Sequence, residues 1–232
     1  GIHPYVLLNY QGTLDHVFTL AHEMGHALHS YYSDSNQSYI NAGYKIFVAE
    51  VASTCNESLL IHYLLKNTDD KAEKAYLINH FLEQFKGTLY RQTMFAEFEK
   101  ITHKMVEEGE TLTSDILCKV YYDLNKQYFG ENMVLDEEIA LEWARIPHFY
   151  NPFYVYQYAT GISAAIALSK KIMEQGEAGV KDYMKFLTGG GSKDPIELLK
   201  LAGVDMTTKE PIEKALELFK ELLDQMEQSF LS

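Results

Sequence analysis

The string His22-Glu23-Met24-Gly25-His26 places two imidazoles four residues apart, with a carboxylate beside the first. On a helix, residues four apart share one face, about one turn from each other. Two imidazoles so placed can converge on one Zn²⁺ ion at about 2.0–2.1 Å. Glu23 is rotated about 100° from His22, toward an open coordination position rather than the ion. There it can take a proton from water acidified by the metal. With 9 His in 232 residues, chance expects only on the order of 0.03 occurrences of this H-E-x-x-H pattern. Two structural histidines are the alternative. The flanks Phe18, Leu20, Ala21, Ala27 and Leu28 argue against it. They make the helix mostly buried, where His, Glu and His want a shared partner.

A catalytic zinc needs a third protein ligand. A third His six residues after His26 would complete one known pattern, but Tyr32 stands there and His29 occupies the position that needs Gly. His29 lies about 10.5 Å along the helix from His22, too far to share one ion comfortably. It is expected to touch a ligand or face substrate. The better third ligand is Glu50, an acid inside the apolar stretch Phe47-Val48-Ala49-Glu50-Val51-Ala52-Ser53. A buried charge needs a counter-ion, and a cation on the neighbouring helix is the natural one. Glu57, seven residues on, shares that face and could orient a ligand imidazole; a solvated or structural acid is the equal alternative.

These residues need elements to hold them. Between Pro4 and Pro147 there is no proline, and the chain reads as mainly α. Thr13 or Asp15 caps a helix reaching about Tyr32. Further helices are expected at about 47–66, 69–108, 114–130, 136–146, 156–175, 177–187, 195–202 and 210–230. Tyr5–Tyr10 is β-prone and is expected as a short strand, with a second around Tyr39-Ile40. An exposed strand edge could pair with an extended peptide; an ordinary sheet edge is the equal alternative. Gly189-Gly190-Gly191-Ser192 lacks the Gly-Lys-Ser/Thr of a phosphate loop and reads as a flexible connection. Nothing resembles an interdomain linker, so residues 1–232 are expected to form a single catalytic domain.

Composition bounds the rest. Hydrophobic residues are 47%, charged residues 23%, and the net charge is −13. That is an ordinary globular balance, and the charge argues against nucleic acid or an anionic membrane as partner. No apolar run approaches a membrane span. Only Cys55 and Cys118 are present, which fits a reducing, cytoplasmic setting; Cys55 is expected to be a buried inert thiol. The chain opens Gly1-Ile2-His3-Pro4 without Met, so a preceding segment is expected.

The same residues carry a resemblance. His3-Pro4-Tyr5, Asn9-Tyr10, Leu20–His29, Phe47–Thr54, His148-Phe149-Tyr150 and Leu198–Met206 closely resemble the catalytic part of the oligoendopeptidase F family, within the thimet oligopeptidase-like zinc metallopeptidases. The match covers essentially the whole chain. It implies a multi-helix zincin-type domain, one zinc held by His22, His26 and Glu50, Glu23 as general base, and cleavage of short peptides in a deep channel. It also implies an N-terminal lobe of the same polypeptide, absent here, so that this chain alone is a fragment expected to bind zinc but not necessarily to turn over peptide. By resemblance, His148 and Tyr158 are the donors to the oxyanion of the tetrahedral intermediate, with Tyr154 or Tyr150 as a second donor; most tyrosines of this loop simply pack.

Two rival readings stay open. A zinc carboxypeptidase or dipeptidyl carboxypeptidase on the same scaffold would need a cation for the substrate's C-terminal carboxylate, for which Arg145 or Arg91 is available. A non-catalytic peptide-binding fragment would be favoured by loss of Glu23 or of a ligand, and neither is lost.

Overall fold

The structure is a computed structural model that describes residues 2–231. Ten α-helices follow one another among the described residues. They are α1 Leu14–Asn36, α2 Tyr39–Ala42, α3 Ile46–Asn67, α4 Lys71–Phe85, α5 Arg91–Glu107, α6 Ser114–Phe129, α7 Tyr156–Gln175, α8 Glu177–Leu187, α9 Pro195–Leu201 and α10 Glu210–Leu231. A π-helical turn, Lys86–Tyr90, joins α4 to α5. Two 3₁₀ segments, Glu137–Arg145 and Pro147–Tyr150, lie between α6 and α7. The chain divides into two compact units: residues 85–159 form one, and the remainder the other.

The larger unit is built around the crossing of α1 and α3. Thr13 caps α1, its Oγ1 accepting from the His16 N–H at 3.3 Å, with Asp15 in the first turn. Buried Val48, Val51, Ala52 and Cys55 recur at threes and fours along α3 and meet Ala164, Ala165 and Leu168 of α7, Phe186 and Leu187 of α8, and Leu198 and Leu199 of α9. Close approach of α1 and α3 depends on Gly25, since a Cβ there would lie 2.5 Å from Ser53 Cα. Gly190 and Gly191 serve the connection between the two helices. A Cβ on Gly190 would fall 2.3 Å from the Asn41 carbonyl oxygen, and the Gly191 N–H donates to that same oxygen at 2.7 Å. The glycine run is therefore a packed seat for residues 41–43 rather than a flexible connection.

The smaller unit packs α5 and α6 around Met94, Phe95, Phe98, Tyr121, Leu124, Ile146 and Val155. Its 3₁₀ segment is anchored by Glu142. That carboxylate accepts from Arg91 at 2.5 Å, from the Tyr121 hydroxyl at 2.6 Å, and from Arg145. Burial works to raise the Glu142 pKa, but the hydrogen bonds from Tyr121 and Arg91 and the two guanidinium charges outweigh it and hold the carboxyl below its usual range.

Three further expectations are corrected. Among the described residues there is no β-strand, and Tyr5–Tyr10 is irregular. Tyr5 is 80% and Leu7 96% exposed; a β-prone segment becomes a strand only with a partner to complete its ladder. Tyr39-Ile40 opens the short helix α2 instead. The single helix expected over 69–108 is interrupted by the π-helical turn. Its buried positions step by four from Phe85 to Leu89 but by five from Leu89 to Met94, and a π turn supplies the extra residue that keeps both sets inward.

Candidate metal centre and active site

α1 sets His22 and His26 one turn apart on a single face, and the Gly25 contact brings α3 close enough for Glu50 to meet them. His22 Nε2 lies 3.1 Å and His26 Nε2 3.4 Å from Glu50 Oε2. The two Nε2 atoms are 3.2 Å apart. His22, His26 and Glu50 form the one group of His, Cys, Asp or Glu side chains among the described residues that could hold a metal ion.

The donor set can be tested for fit. Two nitrogen ligands about 2.05 Å from a tetrahedral ion lie about 3.3 Å from each other. The observed separations of 3.1, 3.2 and 3.4 Å match that spacing. The chemistry also fits, since two imidazole nitrogens facing each other and one carboxylate oxygen share a cationic partner more readily than one another's protons.

The surrounding groups orient these donors. His22 donates its Nδ1–H to Glu57 Oε2 at 3.0 Å, which leaves Nε2 to face Glu50 and His26. Glu57 is in turn held by the Gln84 amide at 3.1 Å. Ser53 donates to Glu50 Oε2 at 3.1 Å. Burial alone would lower the His22 pKa, but the hydrogen bonds and charges of Glu50 and Glu57 outweigh it and push the imidazole up to about 10. The hydrogen bonds from His22 and His26 hold the Glu50 carboxyl far below the usual range. Glu23 is partly exposed, and no ion pair among the described residues engages it.

His29 is not among the converging donors. It is 1% exposed, stacked on Tyr44 with ring centroids 3.8 Å apart and planes 4° from parallel, and packed on Phe186. Its Nδ1 has no hydrogen-bond partner. Burial, with the charge of His26, pushes its pKa down to about 3, so it is a neutral core residue facing neither ion nor solvent. Cys55 is fully buried, and burial pushes its thiol up to about 12.

The second constellation lies in the smaller unit. The Tyr158 hydroxyl is 3.4 Å from His148 Nε2 and donates to the Tyr154 hydroxyl at 3.4 Å. His148 and Tyr154 are stacked at 5.8 Å. Tyr150 stands apart, 85% exposed. The guanidiniums proposed for a substrate carboxylate, Arg91 and Arg145, are both engaged by Glu142.

Sequence reasoning missed three residues that support the donors: Gly25, Ser53 and Gln84. Two had a signal. Ser53 lies one helical turn from Glu50, and a glycine inside a buried helix marks a close approach. Gln84 had none, since nothing local ties it to a residue 27 positions away.

Comparison with known proteins follows this geometry. A family model described as peptidase family M3 matches residues 2–218. The chain is 56% identical over 228 residues to oligopeptidase PepF of Bacillus subtilis, covering 98% of this chain and 34% of that protein. It is 45% identical over 223 residues to the chromosomal oligoendopeptidase F of Lactococcus lactis, covering 96% and 37%. Among solved structures, oligoendopeptidase-F from Enterococcus faecium superposes with a TM-score of 0.83 at 46% identity, covering 94% of this chain and 39% of that one. The chain thus spans a little over a third of the length of the relatives it matches. Among the described residues, no helix is long and apolar enough to cross a membrane.

Proposed function

Because this chain belongs to peptidase family M3, we propose that it carries the catalytic chemistry of a zinc-dependent oligoendopeptidase acting on short peptides. The observation that carries the reading is the convergence of His22 Nε2, His26 Nε2 and Glu50 Oε2 to within 3.1–3.4 Å, with Glu23 between the two histidines in sequence. A zinc ion held by these three residues would supply a Lewis acid that acidifies water and polarises a carbonyl.

The chain's own residues do the rest. Glu57 accepts from His22 Nδ1 and so keeps the opposite ring nitrogen, Nε2, on the donor side. Ser53 donates to Glu50 Oε2, the same oxygen that faces the two imidazoles, and so holds it in place. Glu23 takes the proton from the attacking water and delivers it to the leaving amine, the work of a general base turned general acid. Tyr158 and His148, with Tyr154 as their neighbour, donate hydrogen bonds to the oxyanion of the tetrahedral intermediate.

The supporting likenesses are to proteins named for oligopeptide cleavage. No observation favours the carboxypeptidase reading, since Glu142 already occupies both candidate arginines. The test combines metal analysis with hydrolysis of a quenched fluorescent peptide blocked at both ends. About one zinc per chain and internal cleavage are expected. Failure to retain zinc after loading would sink the site, and cleavage only of a companion peptide with a free C-terminus, the blocked one being left intact, would move the reading to the carboxypeptidase class.

A further inference from the structure

Residues Asn151-Pro152-Phe153-Tyr154 form a tight turn, closed by the Tyr154 N–H donating to the Asn151 carbonyl at 3.2 Å. Phe153 has φ +60°, and among the described residues it is the one non-glycine with positive φ. Proline in the second place and positive φ in the third is the pattern of a type II turn, where the third residue is ordinarily Gly or Asn. The commoner type I turn keeps φ negative at that residue and accepts any side chain. The two forms differ chiefly by rotation of the central peptide through about 180°. That rotation carries the Phe153 N–H from one side of the turn to the other. A bulky side chain here resists the left-handed form, so something outside the turn must favour it.

The group on the receiving side is Glu99 of α5. Its Oε1 accepts from the Phe153 N–H at 3.0 Å. Glu99 is 4% exposed and its Oε2 has no hydrogen-bond partner. Salt bridging does not explain this acid, for no cation pairs with it among the described residues; His103 acts on it only at longer range. Burial raises its pKa and makes an apolar residue the cheaper occupant. What Glu99 provides, and an apolar residue does not, is an acceptor aimed at the rotated peptide. The turn ends on Tyr154, whose hydroxyl receives the Tyr158 hydrogen bond and whose ring stacks on His148.

We propose that Glu99 is a positioning residue, which selects the left-handed form of the 151–154 turn and thereby places Tyr154 within the His148–Tyr154–Tyr158 cluster. The proposal rests on the reading of that cluster as the oxyanion donors. It assigns Glu99 no contact with substrate.

The test uses Glu99→Met, which removes the acceptor, and Glu99→Gln, which keeps it. Combining Glu99→Met with Phe153→Gly lets the turn take positive φ unaided. Tyr158→Phe reports on the cluster itself. Glu99→Met should lower kcat about tenfold or more with KM within about twofold, as loss of donor placement does. Glu99→Gln should stay within about threefold, and Phe153→Gly should restore most of the Glu99→Met loss. Amide hydrogen exchange adds a readout independent of turnover: the Phe153 N–H should be protected in the wild-type chain and exchange at least about tenfold faster in Glu99→Met. An unprotected wild-type Phe153 amide overturns the proposal even if Glu99→Met does not fold. So does a folded Glu99→Met with full kcat, or a Glu99→Gln as slow as Glu99→Met. The two layers separate cleanly. Full kcat in Tyr158→Phe removes the donor reading itself, whereas a slow Tyr158→Phe beside a fully active Glu99→Met removes only the role of Glu99.

Discussion

Gly25→Ala isolates the helix crossing that assembles the donor set. A Cβ at Gly25 would lie 2.5 Å from Ser53 Cα, 2.7 Å from the Ala52 carbonyl oxygen and 2.8 Å from the Ser53 nitrogen. Ordinary carbon contacts lie at about 3.5–4.0 Å, so α3 must retreat by roughly 1 Å. All three obstructing atoms are backbone, so no rotamer change relieves the overlap. Alanine is the better helix former by about 0.5–1 kcal/mol, but overpacking costs about 1–3 kcal/mol, and with no side chain to yield the upper end applies. The net loss is then about 2 kcal/mol, which for a chain of this size lowers Tm by about 4–8 °C. Glu50 is one turn from Ser53 on the same helix, so it retreats with the clash, and zinc affinity should fall at least about tenfold. Gly161→Ala is the control. Its Cβ would meet Glu50 Cβ at 3.8 Å, an ordinary contact, and it should leave both Tm and metal uptake intact. Calorimetry and competitive zinc titration on the two variants provide the check. An unchanged Tm and zinc affinity in Gly25→Ala would refute the argument that this contact sets the approach of α1 and α3.

Other consequences follow from single side chains. Glu23→Gln should retain zinc stoichiometry while lowering peptide hydrolysis about 10²–10⁴-fold; metal analysis alongside single-turnover kinetics separates the two effects. His29 has a folded pKa pushed down to about 3, so below about pH 6.5 the unfolded chain binds a proton that the folded chain refuses, and stability falls as pH falls. At pH 5 the loss is about 2 kcal/mol relative to neutrality, and His29→Phe, which can keep the stack on Tyr44, should flatten the acid side of the stability profile by that amount in denaturant titrations. Glu142→Ala strands the Tyr121 hydroxyl and Arg91. With Arg91 partly exposed, the expected cost is about 2–3 kcal/mol; a urea midpoint equal to wild type would show that the 3₁₀ segment needs no such anchor.

The helices were legible because their signals are local. Capping by Thr13, apolar positions at threes and fours, and the rarity of proline are all readable within a few residues, and most of the long helices lie where those signals put them. The facing of His22 and His26 was legible for the same reason, since the helical period brings residues four apart onto one face. Glu50 required one further physical step, that an acid in an apolar helix needs a cation. What was not legible depends on partners distant in the chain. Tyr5–Tyr10 has the composition of a strand but, among the described residues, no second strand to bond. Gly189–Gly191 has the composition of a flexible loop, yet the 41–43 backbone comes so close that a Cβ on Gly190 or Gly191 would lie 2.3–2.4 Å from one of its carbonyl oxygens. A glycine run does not say whether it is there for freedom or for closeness.

Acidic residues divide by the same logic. The net charge of −13 is a sum over acids that are mostly solvated, and it does not point to the site. Among the acids that depart from the average, because folding takes them from water beside a specific partner, are Glu50, Glu57, Glu142 and Glu99. Glu50 faces two imidazoles, Glu57 faces His22, Glu142 faces two guanidiniums and a phenol, and Glu99 faces a backbone N–H. Burying a carboxylate is costly unless the partner compensates, so each is retained for what it holds in place. Glu50 and Glu57 hold imidazoles where a cation fits, and Glu142 holds the 3₁₀ segment that leads toward His148. Glu99 lies next to Phe98 on the inward face marked by Met94, Phe95 and Thr102. An acid in phase with an apolar stripe is thus the sequence signal that reveals Glu50, and the same signal was available, unread, at Glu99.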